Sequence, residues 1–189
     1  AIRRRVFEVE GLTCSVGVAT NKFLAKLATE RAKPRPSLEG PRFGSGVYVI
    51  VPGHELHFLH PMPVRDLWGV GPATESKLSR MGIETVGDLA SQSRDRLEAG
   101  LGRASGLHLH QLAHAVDVRP VVVDQRAKSI GHEETFPRDL ADGPALRRQL
   151  VRMVDAVATR LRAAGFAGRT VTIKVRFADL ATITRAQTL

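Results

Sequence analysis

Leu67-Trp68-Gly69-Val70-Gly71-Pro72-Ala73-Thr74-Glu75-Ser76-Lys77-Leu78 is the stretch on which the reading of this chain turns. An apolar residue, then Gly69-Val70-Gly71, then a segment that turns apolar again at Leu78, is the pattern of a helix-hairpin-helix. Neither glycine carries a Cβ, so the backbone can turn tightly and approach another backbone. Pro72 suits the first position of a helix, where its missing N–H is not needed. The amides that open this helix point outward at the positive end of its dipole, which makes an anion site. A Gly-rich turn joining two core helices fits the same letters.

Charge sharpens the choice of anion. The 189 residues hold 28 Lys and Arg against 19 Asp and Glu, a net charge of +9, which favours a polyanionic partner. Residues 1–60 carry +4, residues 61–118 carry −1, residues 119–127 carry +1 and residues 128–189 carry +5. The hairpin lies in the least basic part. If it holds a phosphate, it does so with oriented backbone amides and not with a lysine cluster.

Working outward, Arg3 to Glu10 reads as helix, and Thr13 to Val18 as a short buried strand. Thr20 or Asn21 caps a helix with Phe23, Leu24, Leu27 and Ala28 at helical spacing. Lys33-Pro34 ends it, and a glycine-rich loop leads to a strand over Val47 to Val51. Leu56 to Leu59 is a brief helix, and short glycine-punctuated helices follow from Val64. Leu97 to Ser105 is a second, degenerate hairpin around Gly102, Arg103 and Ser105. Residues 117–127 read as an extended tether and Lys128 to Phe136 as strand. Pro144 opens an amphipathic helix with Leu146, Leu150, Met153, Val154, Val157 and Leu161 on one face. Arg169 to Phe177 alternates apolar and basic residues as a half-exposed strand. Ala181 to Leu189 is its neighbour.

Composition excludes several classes. No apolar run reaches the eighteen or so residues of a membrane span, and no signal segment opens the chain. Cys14 is the single cysteine, which rules out an internal disulfide and a cysteine-rich metal site and suits a reducing cytoplasm. Trp68 is expected as a core anchor beside the hairpin. His108 and His110 are expected as surface or satisfied core groups. Asp124, Asp139 and Asp142 are expected as solvated charges or caps.

Together the blocks Leu12–Ala19, Asn21–Ala28, Lys33-Pro34, Leu67–Gly71, Gly87-Asp88-Leu89, Lys128–Glu133, and Phe177 with Thr182–Arg185 resemble the Y-family DNA polymerases of the DinB type. They occur in the family's order over nearly the whole chain. The resemblance implies an α+β fold: a partial polymerase palm over 1–60, an all-helical thumb with helix-hairpin-helix motifs over 61–118, a linker over 119–127, and an incomplete βαββ little-finger domain over 128–189. The stretch between Pro34 and Gly46 is longer than the family's short turn.

The resemblance assigns roles residue by residue. Lys33 would contact the triphosphate of an incoming deoxynucleoside triphosphate. Gly69, Val70 and Gly71 would hold a primer-strand phosphate through backbone amides, assisted by Lys77 and by a monovalent cation. Gly102 and Arg103 would form a weaker copy. Ser129, Lys174, Arg176, Thr182, Thr184 and Arg185 would contact the backbone of primer–template DNA from a sheet surface, positioning it without reading sequence.

Family enzymes hold two Mg²⁺ ions on an aspartate and on a Ser-x-Asp-Glu motif. No Ser-x-Asp-Glu occurs here, and the expectation is a C-terminal piece lacking fingers, metal-binding carboxylates and the end of the little finger. Glu133-Glu134 would point to opposite faces of a strand, so no catalytic or metal residue is assigned. A sliding clamp would be reached through segments outside the chain, and no membrane is involved. The expected activity is the DNA grip of a translesion polymerase. The alternatives are a non-catalytic helix-hairpin-helix DNA-binding module and a structural protein that is basic for solubility.

Overall fold

The computed structural model describes residues 2–140 and 143–189; Asp142 lies outside them. The chain divides into two compact units, Ala1–Val121 and Val122–Leu189. Its mixed helix and small-sheet content makes it α+β. No helix is long and apolar enough to cross a membrane.

The first unit opens with helix α1 (Ile2–Glu10), followed by a βαβ arrangement. Strands β1 (Val16–Val18) and β2 (Val47–Val49) pair in parallel, Gly17 opposite Tyr48, joined through helix α2 (Lys22–Ala32). Both strands are shorter than their β-prone runs, because only these residues find a ladder partner. Asn21 rather than Thr20 caps α2: its side-chain oxygen accepts from the Leu24 amide at 2.9 Å. Phe23, Leu24, Leu27, Ala28 and Ala32 are buried along one face. Gly17 lets β1 lie directly on that helix. A Cβ there would stand 2.1 Å from the Ala25 carbonyl oxygen and 2.3 Å from the Thr29 nitrogen. The long loop after Pro34 forms a small ribbon closed by Arg35 and Arg42, whose amides and carbonyls exchange hydrogen bonds at 2.9 and 2.8 Å.

Helices α3 (Glu55–Leu59), α4 (Pro72–Arg80), α5 (Val86–Ala90), α6 (Arg94–Leu101) and α7 (Arg103–Ala113) complete the unit. Thr85 and Asp88 form a reciprocal capping box at α5. Donation from the Thr85 amide, aided by the Thr85 hydroxyl, holds the Asp88 carboxyl below the usual carboxylate range. Gly102 ends α6 and starts α7 in one residue, with φ 88°. Gly106 lets the two helices touch backbone to backbone; a Cβ would lie 2.5 Å from the Glu98 nitrogen. Leu59, Val64, Leu67, Leu78, Ile83, Val86, Leu89, Leu97, Leu109 and Leu112 form one core with the α2 face.

The second unit contains helix α8 (Pro144–Ala163) and the antiparallel hairpin of β3 (Thr170–Arg176) and β4 (Thr182–Thr188), with Lys174 opposite Thr184. The expected strand over Lys128–Phe136 does not form, since this segment makes no backbone ladder with any neighbour among the described residues. It is pinned by side chains. Arg160 of α8 donates to the Gly131 carbonyl at 3.0 Å and meets His132 at 2.8 Å; Arg152 pairs with Glu134. Glu133 faces the other way and pairs with Lys174 of β3 at 2.5 Å. The apolar face of α8 exists as expected, yet Leu146, Leu150 and Val154 stay exposed. Every buried apolar side chain among the described residues lies between Phe23 and Ala113.

Candidate nucleic-acid interface

The glycine turn is built by the core beneath it. Leu67 is buried and holds the strand-like entry, so its neighbour Trp68 must face outward. The Val70 amide then donates to the Leu67 carbonyl at 3.1 Å, closing a four-residue turn with Gly69 at its third position. Gly69 has φ +98°, which glycine adopts without strain. Helix α4 follows at once, with Gly71 as N-cap and Pro72 in the first position.

The amides of Gly69, Gly71, Ala73 and Thr74 have no acceptor among the described residues. Pro72 has none to give. That of Val70 is spent inside the turn, so among the three expected turn residues Gly69 and Gly71 have amides free for an anion. Gly71 has φ −98°, open to any residue, and a Cβ there would meet nothing within 4 Å. The fold thus does not require glycine at 71, whereas close approach by something outside the chain would. Gly71→Ala should therefore leave the melting temperature close to the wild-type value, the lower entropy of the unfolded alanine chain being offset by a poorer N-cap, while weakening DNA binding in an anisotropy titration. Equal affinity in the alanine variant would remove Gly71 from the interface. Lys77 is exposed on α4 without an ion-pair partner among the described residues.

The second turn also opens a helix at a positive-φ glycine, but here Gly102 is itself the N-cap. The Gly102 amide is used on Glu98 at 2.9 Å, and the Arg103, Ala104 and Ser105 amides open α7 without acceptors. Arg103 is exposed. His108 lies under the first turn, its ring edge 3.8 Å from where a Gly69 Cβ would stand. His110 stacks on His114 with centroids 4.5 Å apart. Partial burial first, then the His114 and Arg94 charges, push its imidazole below its ordinary pKa.

Trp68 is not a core residue. The residue is 52% exposed, with the Arg119 guanidinium 4.5 Å from the ring centroid. Residues 117–127 form no helix or strand, and the first four of them, 117–120, are fastened. Asp117 holds Arg119 at 2.6 Å, and Lys22 of α2 donates to the Pro120 carbonyl at 2.7 Å. Donation by Arg119 holds the Asp117 carboxyl below the usual carboxylate range despite its burial. Reading from sequence missed Asp117 and Arg119; an Asp-x-Arg pair just after α7 was the available signal.

In the second unit, pairing sorts the expected residues by face. Lys174, Arg176, Thr182 and Thr184 sit on one face, through Lys174 opposite Thr184 and Arg176 opposite Thr182. Arg185 pairs opposite Ile173 on the other face, and donates to the Thr184 carbonyl at 3.0 Å. Lys174 donates to Glu133, which holds that carboxyl below its ordinary range. Ser129 is exposed in the pinned segment. Lys33 is half-exposed and bonded to Glu30 at 2.7 Å. Among the described residues no three His, Cys, Asp or Glu side chains converge as metal ligands would, and Glu133 and Glu134 are each taken by a cation.

Three family descriptions match in chain order: the impB/mucB/samB family over residues 1–30, the DNA polymerase-iota thumb domain over 65–117, and the impB/mucB/samB family C-terminal domain over 127–189. DNA polymerase IV of Streptomyces coelicolor is 44% identical over 188 residues, covering 100% of this chain and 37% of that protein. DNA polymerase IV of Halorhodospira halophila is 43% identical over 185 residues, 98% of this chain and 49% of that protein. The chain thus spans less than half the length of these curated relatives. Among solved structures, a chimera of the polymerases Dbh and Dpo4 superposes with a TM-score of 0.72 at 25% identity, covering 100% of this chain and 51% of its own. An insertion ternary complex of Dbh DNA polymerase gives 0.56 at 25% identity over 99% of this chain and 50% of its own.

Proposed function

We propose, from the premise that this chain belongs to the Y-family DNA polymerases of the DinB type, that it forms the duplex-gripping part of a translesion DNA polymerase. The parent enzyme transfers a nucleotide to a primer 3′ end opposite damaged template, in the cytoplasm. The observation that carries this reading is the turn at Gly69–Gly71, with unclaimed amides around a position where the fold itself has no need of glycine.

The first unit offers this turn and its copy at Gly102–Ser105 as amide sites for successive phosphates, with Lys77 and Arg103 as nearby cations. The second offers Lys174, Arg176, Thr182 and Thr184 on one face of its hairpin, with Ser129 in the segment that Glu133 ties to Lys174 and Arg185 on the reverse. Such contacts hold a duplex in place independently of its sequence. Lys33 would release Glu30 to meet the triphosphate of the incoming nucleotide. Mg²⁺ supplies charge stabilisation on the attacking and leaving oxygens when bound to the parent; the described residues offer it no ligand cluster. A monovalent cation at the first turn and a sliding clamp complete the proposed partners. The domain division is proposed as palm over 1–60, thumb over 61–118, linker over 119–127 and little finger over 128–189.

Purified chain should bind a fluorescein-labelled primer–template and fail to extend it when deoxynucleotides and Mg²⁺ are added. Magnesium-dependent extension by the 189 residues alone would overturn the assignment of chemistry to other parts of the parent. Absence of duplex binding would overturn the grip itself.

A further inference from the structure

The residues that leave the last thumb helix are built with more care than a tether requires. Both ends of the 115–120 segment are fastened to the start of α2. Asn21, while capping that helix, donates its amide to the Ala115 carbonyl at 2.8 Å, and Lys22 donates to the Pro120 carbonyl at 2.7 Å. Ala115 is held at φ 61°, a conformation costly for a residue with a side chain. Between these anchors the Asp117 carboxylate, only 2% exposed, accepts from the Arg119 backbone amide at 3.2 Å, Nε at 2.6 Å and Nη2 at 2.9 Å. A two-pronged fork of this kind fixes the plane of a guanidinium as well as its charge. That plane lies over the Trp68 ring, 4.5 Å from its centroid.

Trp68 is the second residue of the Leu67–Val70 turn, immediately before Gly69. The guanidinium covers one face of the ring. Resting on the reading of this turn as a phosphate site, we infer that Arg119 is a positioning residue for it: locked by Asp117, its guanidinium holds Trp68 and thereby the turn in the orientation that presents the Gly69 and Gly71 amides. The cation need not touch DNA. It acts by removing the freedom the turn would otherwise lose on binding, which is how preorganisation raises affinity.

Three versions of the chain, wild type, Arg119→Ala and Arg119→Lys, decide this by anisotropy titration with a labelled primer–template at several salt concentrations. A cation–π contact of this kind corresponds to roughly a three- to tenfold change in affinity. Arg119→Ala should weaken binding by about that factor while the slope of log K against log salt stays at the wild-type value. Arg119→Lys keeps the charge and loses the fork and the flat face, so it should fail to rescue. Trp68 is the sole tryptophan, and its emission should shift in both variants without DNA and in the wild type when duplex is added.

A slope lower by about 0.9 in Arg119→Ala would make Arg119 a direct phosphate ligand and overturn the positioning role. Wild-type affinity in either variant, alongside a shifted Trp68 emission, would overturn it too. Should Arg119→Ala unfold, Arg119→Lys alone decides, with full affinity counting against the inference. A wild-type chain that binds no duplex would instead bring down the functional reading on which the inference rests, a result distinct from all of these.

Discussion

Gly17→Ala should unfold the first unit or bring it close to unfolding. The added Cβ would sit 2.1 Å from the Ala25 carbonyl oxygen and 2.3 Å from the Thr29 nitrogen, both in the backbone of α2. It would also press on the bond from the Gly17 amide to the Thr29 hydroxyl, now 2.9 Å. Neither atom can swing aside as a side chain would, so β1 must separate from the helix that buries Phe23, Leu24 and Leu27. Overpacking costs about 1–3 kcal/mol where side chains absorb it, and backbone overlap should exceed that range. Against a total of about 5–15 kcal/mol for a domain, this is a large fraction. Gly106→Ala should act similarly on the α6–α7 contact, with its Cβ 2.6 Å from Glu98 Cα. Gly168→Ala meets nothing within 4 Å and serves as the neutral control. Urea melts followed by circular dichroism would measure all three, and a wild-type midpoint for Gly17→Ala would refute the packing argument.

The second large effect is on DNA affinity as salt rises. Each phosphate neutralised by a cation adds about 0.9 to the slope of log K against log salt. Lys174 and Arg176 share one face of the hairpin, so replacing both with alanine should lower the slope by about 2 and weaken binding at every duplex sequence alike. At the glycine turn, affinity should fall without a comparable change in slope, because amides release no counterion of their own. Glu133 complicates the arithmetic in a useful way. It now neutralises Lys174, so Glu133→Gln should free that lysine and strengthen binding at low salt. A titration showing no slope change in the double variant would take the hairpin face out of the interface.

Much of this architecture was open to reading because each element repeats its own signal. Leu24, Leu27 and Ala28 recur at helical spacing, and Asn21 stands where a cap belongs. Gly69 and Pro72 bracket a turn and a helix start. The α+β class and the family both followed from such local marks.

What stayed hidden depends on contacts far apart in sequence. Whether Trp68 is core or surface is decided by Leu67 taking the inward position and by Arg119, fifty-one residues on, covering the ring. Lys128–Phe136 has strand composition, but a strand needs a ladder partner, and the side chains of Arg152, Arg160 and Lys174 hold this segment instead. The facing of Arg185 was legible, since alternation along the strand already sets it opposite to Thr182 and Thr184; register adds only that its partner is Ile173. By contrast, nothing in the string Gly69-Val70-Gly71 says that the middle amide is already used.

The confinement of every buried apolar side chain among the described residues to Phe23–Ala113 sets the order in which the chain breathes. Amides opened to solvent by local fluctuation exchange their hydrogens at a rate set by the free energy of that opening. In the first unit, opening α2 or α7 exposes the common core, so their amides exchange only through events approaching global unfolding. The β3–β4 ladder has no buried side chain and, among the described residues, no partner on either outer edge, and its amides exchange through small, frequent openings. In deuterium the chain would therefore divide near Val121–Val122 into a slow half and a fast half, and a protease would enter through the fast one.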